Sequence, residues 1–130
     1  MKLVVDASAI LAILLAEPDA AFYLKTLKAA DEIWISPVNW WEVEVRLLGA
    51  IGMASTTSAE EWANHLGISV EPVNVAHAKL AAEAFTRYRG RPARLNLGDC
   101  FAYALARDKG VALLYKGNGF AKTDVDRHSI

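Results

Sequence analysis

Hydrophobic positions fall into short runs separated by amphipathic stretches, and this alternation predicts strands and helices in turn. Lys2-Leu3-Val4-Val5 is an apolar run bounded by polar residues and predicts a buried strand ending at Asp6. Residues 7 to 16 have helix-forming composition and stop at Glu17-Pro18, where proline cannot continue a helix. Asp19 is placed to cap a second helix over residues 20 to 30, and Ile33-Trp34-Ile35 predicts the next strand. Pro37 suits the first turn of a long helix that runs to Ile51 and closes at Gly52.

Residues 53 to 57 read as a loop. Ser58 and Glu61 have capping-box spacing for a helix ending at Gly67, and residues 68 to 73 predict a third strand. Asn74 heads a helix over residues 75 to 88, an arginine-rich loop with Gly90 and Pro92 follows, and Asn96 heads a helix ending at Gly110. Residues 111 to 115 predict a fourth strand. Strands separated by helices imply parallel β-α-β units within one α/β domain over residues 1 to 130, with neither linker nor repeat.

Open parallel sheets bind ligands beyond the C-terminal ends of their strands. The first strand delivers Asp6 to that edge, and the fourth delivers Lys116-Gly117-Asn118-Gly119. The helix from 37 to 51 is apolar on two faces, Val38, Trp41, Val45 and Leu48 on one and Trp40, Val43, Leu47 and Ala50 on the other. Its narrow polar stripe is Asn39, Glu42 and Arg46. Glu42 has two readings: an i,i+4 ion pair with Arg46, worth about 0.3–0.5 kcal/mol when exposed, or an acid kept for chemistry. Asp99 also has two, because Asn96-x-x-Asp99 resembles a capping arrangement in which an acid favours the helix dipole. Asp6 is harder to explain by structure alone, since a carboxylate in the most apolar part of the chain is costly unless paired or bound to a cation.

Composition narrows the class. The chain has 130 residues, 54% of them hydrophobic, which is enough for a sizeable core and excludes disorder and low complexity. One cysteine, Cys100, allows neither a disulfide framework nor a thiolate zinc site, and His65, His77 and His128 lie on separate elements without ligand spacing. A cytosolic protein is expected. Residues 9 to 16 form an apolar run far short of the roughly 20 residues that span a bilayer, and Asp6 argues against a signal peptide. The net charge of -1 hides a split: residues 1 to 86 balance to -6 and residues 87 to 130 to +5. Arg87, Arg89, Arg91 and Arg94 lie close together and suit either a solvated face or a phosphate-contacting patch.

Four segments together carry a family resemblance: Val4-Val5-Asp6-Ala7-Ser8-Ala9-Ile10-Leu11, Pro37-Val38-Asn39-Trp40-Trp41-Glu42, Leu97-Gly98-Asp99-Cys100-Phe101-Ala102-Tyr103-Ala104, and Leu113-Leu114-Tyr115-Lys116-Gly117-Asn118-Gly119-Phe120 with Thr123-Asp124. In this order, from end to end of the chain, they resemble the PIN-domain ribonucleases, and among these the VapC toxins of bacterial toxin-antitoxin pairs. The resemblance implies a three-layer α/β/α sandwich with a mostly parallel central sheet of four or five strands. It implies a metal-dependent endoribonuclease in which Asp6, Glu42 and Asp99 are the catalytic acids and bind Mg²⁺ or Mn²⁺, with Ser8 as the nearby hydroxyl. Oxygen ligands without competing Cys or His suit these hard cations.

Asn118 stands where the family usually has an acid, and Gly119 where it often has a second. Asn118 offers a neutral carbonyl oxygen to a metal, and Asp124 or Asp126 is the candidate to compensate. Arg91, Arg94 and Lys116 are expected to neutralise RNA phosphates. The partners implied are RNA, a VapB-type antitoxin and a second copy in a homodimer, with Trp40 and Trp41 as candidate anchors and Trp34, Trp62 and Cys100 as core. The missing acid leaves an alternative, a catalytically weakened module that binds RNA or protein. A haloacid-dehalogenase-like phosphatase also places an acid after its first strand, but it wants another acid where this chain has Ser8.

Overall fold

The computed structural model describes residues 1–52 and 54–126, residues 54–57 by their backbone alone. In chain order the elements are β1 (Lys2–Val5), α1 (Ala7–Leu14), α2 (Ala20–Ala29), β2 (Glu32–Ile35), α3 (Pro37–Ile51), α4 (Ala54–His65), β3 (Ile68–Val70), α5 (Val75–Tyr88), α6 (Leu97–Lys109) and β4 (Ala112–Leu114), followed by a 3₁₀ turn at Phe120–Lys122. The four strands form one parallel sheet in the order β3-β2-β1-β4. Successive strand residues point to opposite faces, so Leu3, Val5, Ile33, Ile35 and Leu114 join the core under α1 to α4, while Val4, Trp34 and Leu113 join the core under α5 and α6. The result is the three-layer α/β/α sandwich that the resemblance implied.

The heads of α3, α5 and α6 follow the sequence closely. Ser36 caps α3 with Pro37 in the first turn, and Gly52 closes it. Asn74 and Asn96 both form reciprocal capping boxes, with His77 and Asp99 respectively. His77 is buried, and its ring also bonds Asp108 at 2.8 Å, which ties α5 to α6.

Several boundaries differ from the sequence reading. Helix α1 ends at Leu14, and Ala16 takes a left-handed φ of 52° before Pro18. Asp19 makes no capping bond; its carboxylate is drawn to Lys116 at 2.9 Å. Helix α4 begins at Ala54, so Ser58 lies within it and residues 54–57 are helical; Met53 lies outside the described residues. Burial of Ala59 and Ala63 against the α3 side sets the placement of this helix, overriding the weak propensity of its Ser and Thr residues. Strand β3 stops at Val70 because its partner β2 stops at Ile35, whose carbonyl accepts the last ladder bond from Glu71.

The sheet places a ligand edge between β1 and β4. The chain leaves β1 toward β2 on one side and reaches β4 on the other, so the C-terminal ends of these two strands flank the crevice where such sheets bind ligands. The Asp6 amide donates to the Leu114 carbonyl at 2.9 Å and fixes Asp6 at that position. No helix among the described residues is long and apolar enough to cross a membrane.

Candidate active site

Asp6 follows the last residue of β1 and is the N-cap of α1, which buries it to 4% exposure. Its Oδ2 accepts from the Ser8 amide at 3.0 Å and the Ser8 hydroxyl at 2.6 Å. Ser8 Oγ in turn accepts the Lys116 amide at 2.9 Å, so the start of the loop after β4 holds the residue that holds Asp6. Asp6 Oδ1 is buried with no hydrogen-bond partner. Burial, aided by the negative charges of Asp99 and Glu42 and opposed by the Ser8 bonds, pushes the Asp6 carboxyl up to about 6.

Glu42 comes from the second turn of α3. The ion pair with Arg46 is not formed; instead Glu42 Oε1 accepts from Asn39 Nδ2 at 2.8 Å, and the same amide group reaches the Gly98 carbonyl at 2.9 Å. Asn39 is completely buried. Gly98 completes the cradle, because a Cβ at that position would lie 2.6 Å from Glu42 Oε1. Burial raises the Glu42 carboxyl above its ordinary range, with Asp99 adding to the effect and the Asn39 bond opposing it.

Asp99 both caps α6 and stands at the cavity. Its Oδ2 accepts the Asn96 amide at 3.0 Å in the capping box, and its carboxylate lines the same cavity as Asp6 and Glu42. Burial raises its carboxyl against the lowering effect of the Asn96 bond. The cavity, of about 340 Å³, is lined by these three acids, Ser8 and Arg46 together with the apolar side chains of Leu11, Trp41 and Val45.

Hard cations fit this donor set chemically. The candidate ligands that line the cavity are carboxylates, and the buried unpartnered oxygen of Asp6 is the type of atom a cation satisfies. Among the described residues, however, no three acidic, histidine or cysteine side chains converge closely enough to hold an ion. The acids share a cavity without forming a closed ligand cage.

Other residues singled out from the sequence lie elsewhere. Asn118 is exposed and outside the cavity lining. Asp124 accepts hydrogen bonds from Tyr88 at 3.0 Å and from Tyr103, and faces Arg87 and Arg107 at 3.8 and 3.6 Å, so its carboxylate clamps the C-terminal segment onto α5 and α6 rather than lining the cavity. Asp126 contributes its backbone carbonyl to Leu113 on β4 at 2.8 Å. The Lys116 ammonium is held by Glu17 and Asp19. Arg91 and Arg94 are exposed on the loop between α5 and α6, which is pinned by buried Ala93 and Leu95. At Gly119, where the resemblance led us to look for a second acid, a Cβ would lie 2.9 Å from the Ala93 carbonyl, so a side chain there requires the backbone to shift.

Asn39 and Gly98 position the Glu42 carboxylate, and a search for acids passes over both. Asn39 was visible as the i-3 neighbour of Glu42 on a polar stripe, but the role of Gly98 depends on α3 and α6 meeting and has no local signal. Trp40 packs against the core and donates to Glu44 at 2.7 Å, whereas Trp41 is 62% exposed; Trp34 and Trp62 pack against the two cores as expected. Cys100 is buried, which together with Asp99 pushes its thiol up to about 11, as suits a small apolar residue and not a nucleophile.

The fold is a three-layer α/β/α sandwich whose cavity at the parallel-strand edge is lined by three carboxylates. The family model for the PIN domain matches residues 3–126, and the chain belongs to that family. Its relatives include ribonuclease VapC28 of Mycobacterium tuberculosis, 41% identical over 128 residues covering 96% of each chain. Another is ribonuclease VapC of Mycolicibacterium smegmatis, 36% identical over 126 residues covering 95% of this chain and 97% of that one. The fold is similar to that of M. tuberculosis VapC20, described as a toxin cleaving the sarcin-ricin loop, with a TM-score of 0.82 and 17% identity over 98% of this chain and 99% of that one. The phosphatase alternative falls with this membership.

Proposed function

We propose that this protein is a Mg²⁺- or Mn²⁺-dependent endoribonuclease, the toxin of a toxin-antitoxin pair, acting in the cytoplasm. The observation that carries the reading is the buried Asp6 carboxylate, which shares one cavity with Glu42 and Asp99 and keeps an oxygen without a partner. Asp6, Glu42 and Asp99 would supply the ion's carboxylate oxygens once drawn closer together than they stand in the open cavity, and the ion when bound supplies an acidified water and positive charge against the scissile phosphate. The chain's own residues do the positioning. Ser8 holds Asp6, Asn39 holds Glu42, and the Asn96 amide holds Asp99, so each acid is restrained by one neighbouring residue. Arg46 beside the acids, with Arg91 and Arg94 on their loop, would meet the flanking phosphates.

The exposed apolar residues of α3 outside the cavity, Leu48 and Ile51, supply a surface for a VapB-type antitoxin and for a second copy of the chain. Asp6→Asn and Asp99→Asn should each abolish Mn²⁺-dependent cleavage of a panel of small RNAs while the circular dichroism stays unchanged. Undiminished cleavage by either variant would overturn the assignment.

One observation favours a second reading, a binding module with weakened catalysis: the Asn118-Gly119 segment brings no fourth acid to the cavity. The same panel separates the two, because a binding module retains the RNA in Mn²⁺ without cutting it.

A further inference from the structure

Trp40 and Trp41 are adjacent in sequence, and the helical period turns them to different faces of α3. Trp40 packs inward and donates to Glu44. Trp41 points outward at 62% exposure, and among the described residues its indole makes no hydrogen bond or ring contact. It nevertheless lines the cavity of Asp6, Glu42 and Asp99, together with the apolar Leu11 and Val45.

We propose that Trp41 is the seat of an unpaired nucleobase of the RNA, next to the phosphodiester that the three acids address. This inference rests on the ribonuclease reading. A phosphodiester brought to these acids carries a nucleoside on each side, and at least one of them has to share the cavity. A bound ion would engage the scissile phosphate alone and leave the nucleosides on either side unheld, so affinity at this point gains from a contact that does not depend on charge. A base stacked on an indole supplies one, and it tolerates any base because every base presents a π-face. Arg46, in the same lining and free of any ion pair among the described residues, would meet the adjoining phosphate.

A protein partner is the competing occupant, since the apolar stripe continues from Val45 to Leu48 and Ile51. Those last two residues are outside the acid-lined cavity, whereas Trp41 is inside it, and this favours RNA at Trp41.

The test measures binding of a fluorescein-labelled single-stranded RNA from the panel by anisotropy in Mn²⁺, in an Asp6→Asn background so that the RNA is not consumed. Trp41→Ala should weaken binding on the order of tenfold, and Trp41→Phe by less than about threefold. Replacing the base beside the cleaved bond with an abasic nucleotide should weaken the parent by the same factor and leave Trp41→Ala unaffected. A Trp41→Ala protein that binds RNA and, with Asp6 intact, cuts it as the parent does overturns the inference. If that protein instead loses self-association in sedimentation while keeping its RNA affinity, the residue belongs to a protein interface and the inference is again overturned. A wild-type protein that neither binds nor cuts any RNA overturns the ribonuclease reading as well, so the two failures are distinguishable.

Discussion

At the head of α1, Asp6 caps the helix through Oδ2 while Oδ1 is buried alone. The strain is electrostatic and therefore depends on pH. Its carboxyl titrates at about 6 in the folded protein against 3.8 as the ordinary value, so between these pH values the folded state binds more protons than the unfolded one. Stability of the metal-free protein should then fall as pH rises through that window and level off above it, by up to about 3 kcal/mol from Asp6 alone. Urea melts in EDTA from pH 4 to 8 check this, and Asp6→Asn should flatten the dependence. The costly carboxylate was legible in the sequence, because it follows four strand residues. The Asn39 amide that fixes Glu42 was visible only as a neighbour on a stripe, since its second bond goes to Gly98, 59 residues away in the chain.

Helices α3 and α6 meet where Gly98 lies against the Glu42 carboxylate. A methyl group there has to displace Glu42 from Asn39 while the capping box of α6 stays intact. Gly98→Ala should therefore lower cleavage by roughly a hundredfold, because misplacing a catalytic group by an ångström costs about that much. Loss of stability should be smaller in effect, and paired kinetic and thermal measurements separate the two. The caps of these helices were legible locally, since Pro37, Asn74 and Asn96 act on backbone groups within three residues. The head of α4 was not, because inward packing of Ala59 and Ala63 outweighed the cap signal at Ser58.

For the whole molecule, charge and metal give two further expectations. RNA binding should depend on salt, and removing Arg46, Arg91 or Arg94 should each reduce the slope of log K against log[salt] by about 0.7, the value for one phosphate contact on a single strand. Lys116→Met should leave the slope unchanged, since Glu17 and Asp19 already hold that ammonium. Mn²⁺ at a hundredfold excess over its Kd should add about 2.7 kcal/mol to the stability at neutral pH, an increase that EDTA reverses and Asp6→Asn abolishes in a thermal melt. The sequence by itself determined the α/β alternation and the heads of α3, α5 and α6, and it singled out the three acids that meet at the cavity, because each follows from hydrophobic period, from capping within a turn, or from a charge out of place in an apolar run. Only the tertiary structure decided that Asp124 is a clamp among tyrosines and arginines, that Lys116 is paired, and that Asn118 stays outside the cavity. Those outcomes depend on which side chains meet across distant elements, and the pattern along one chain does not contain that information.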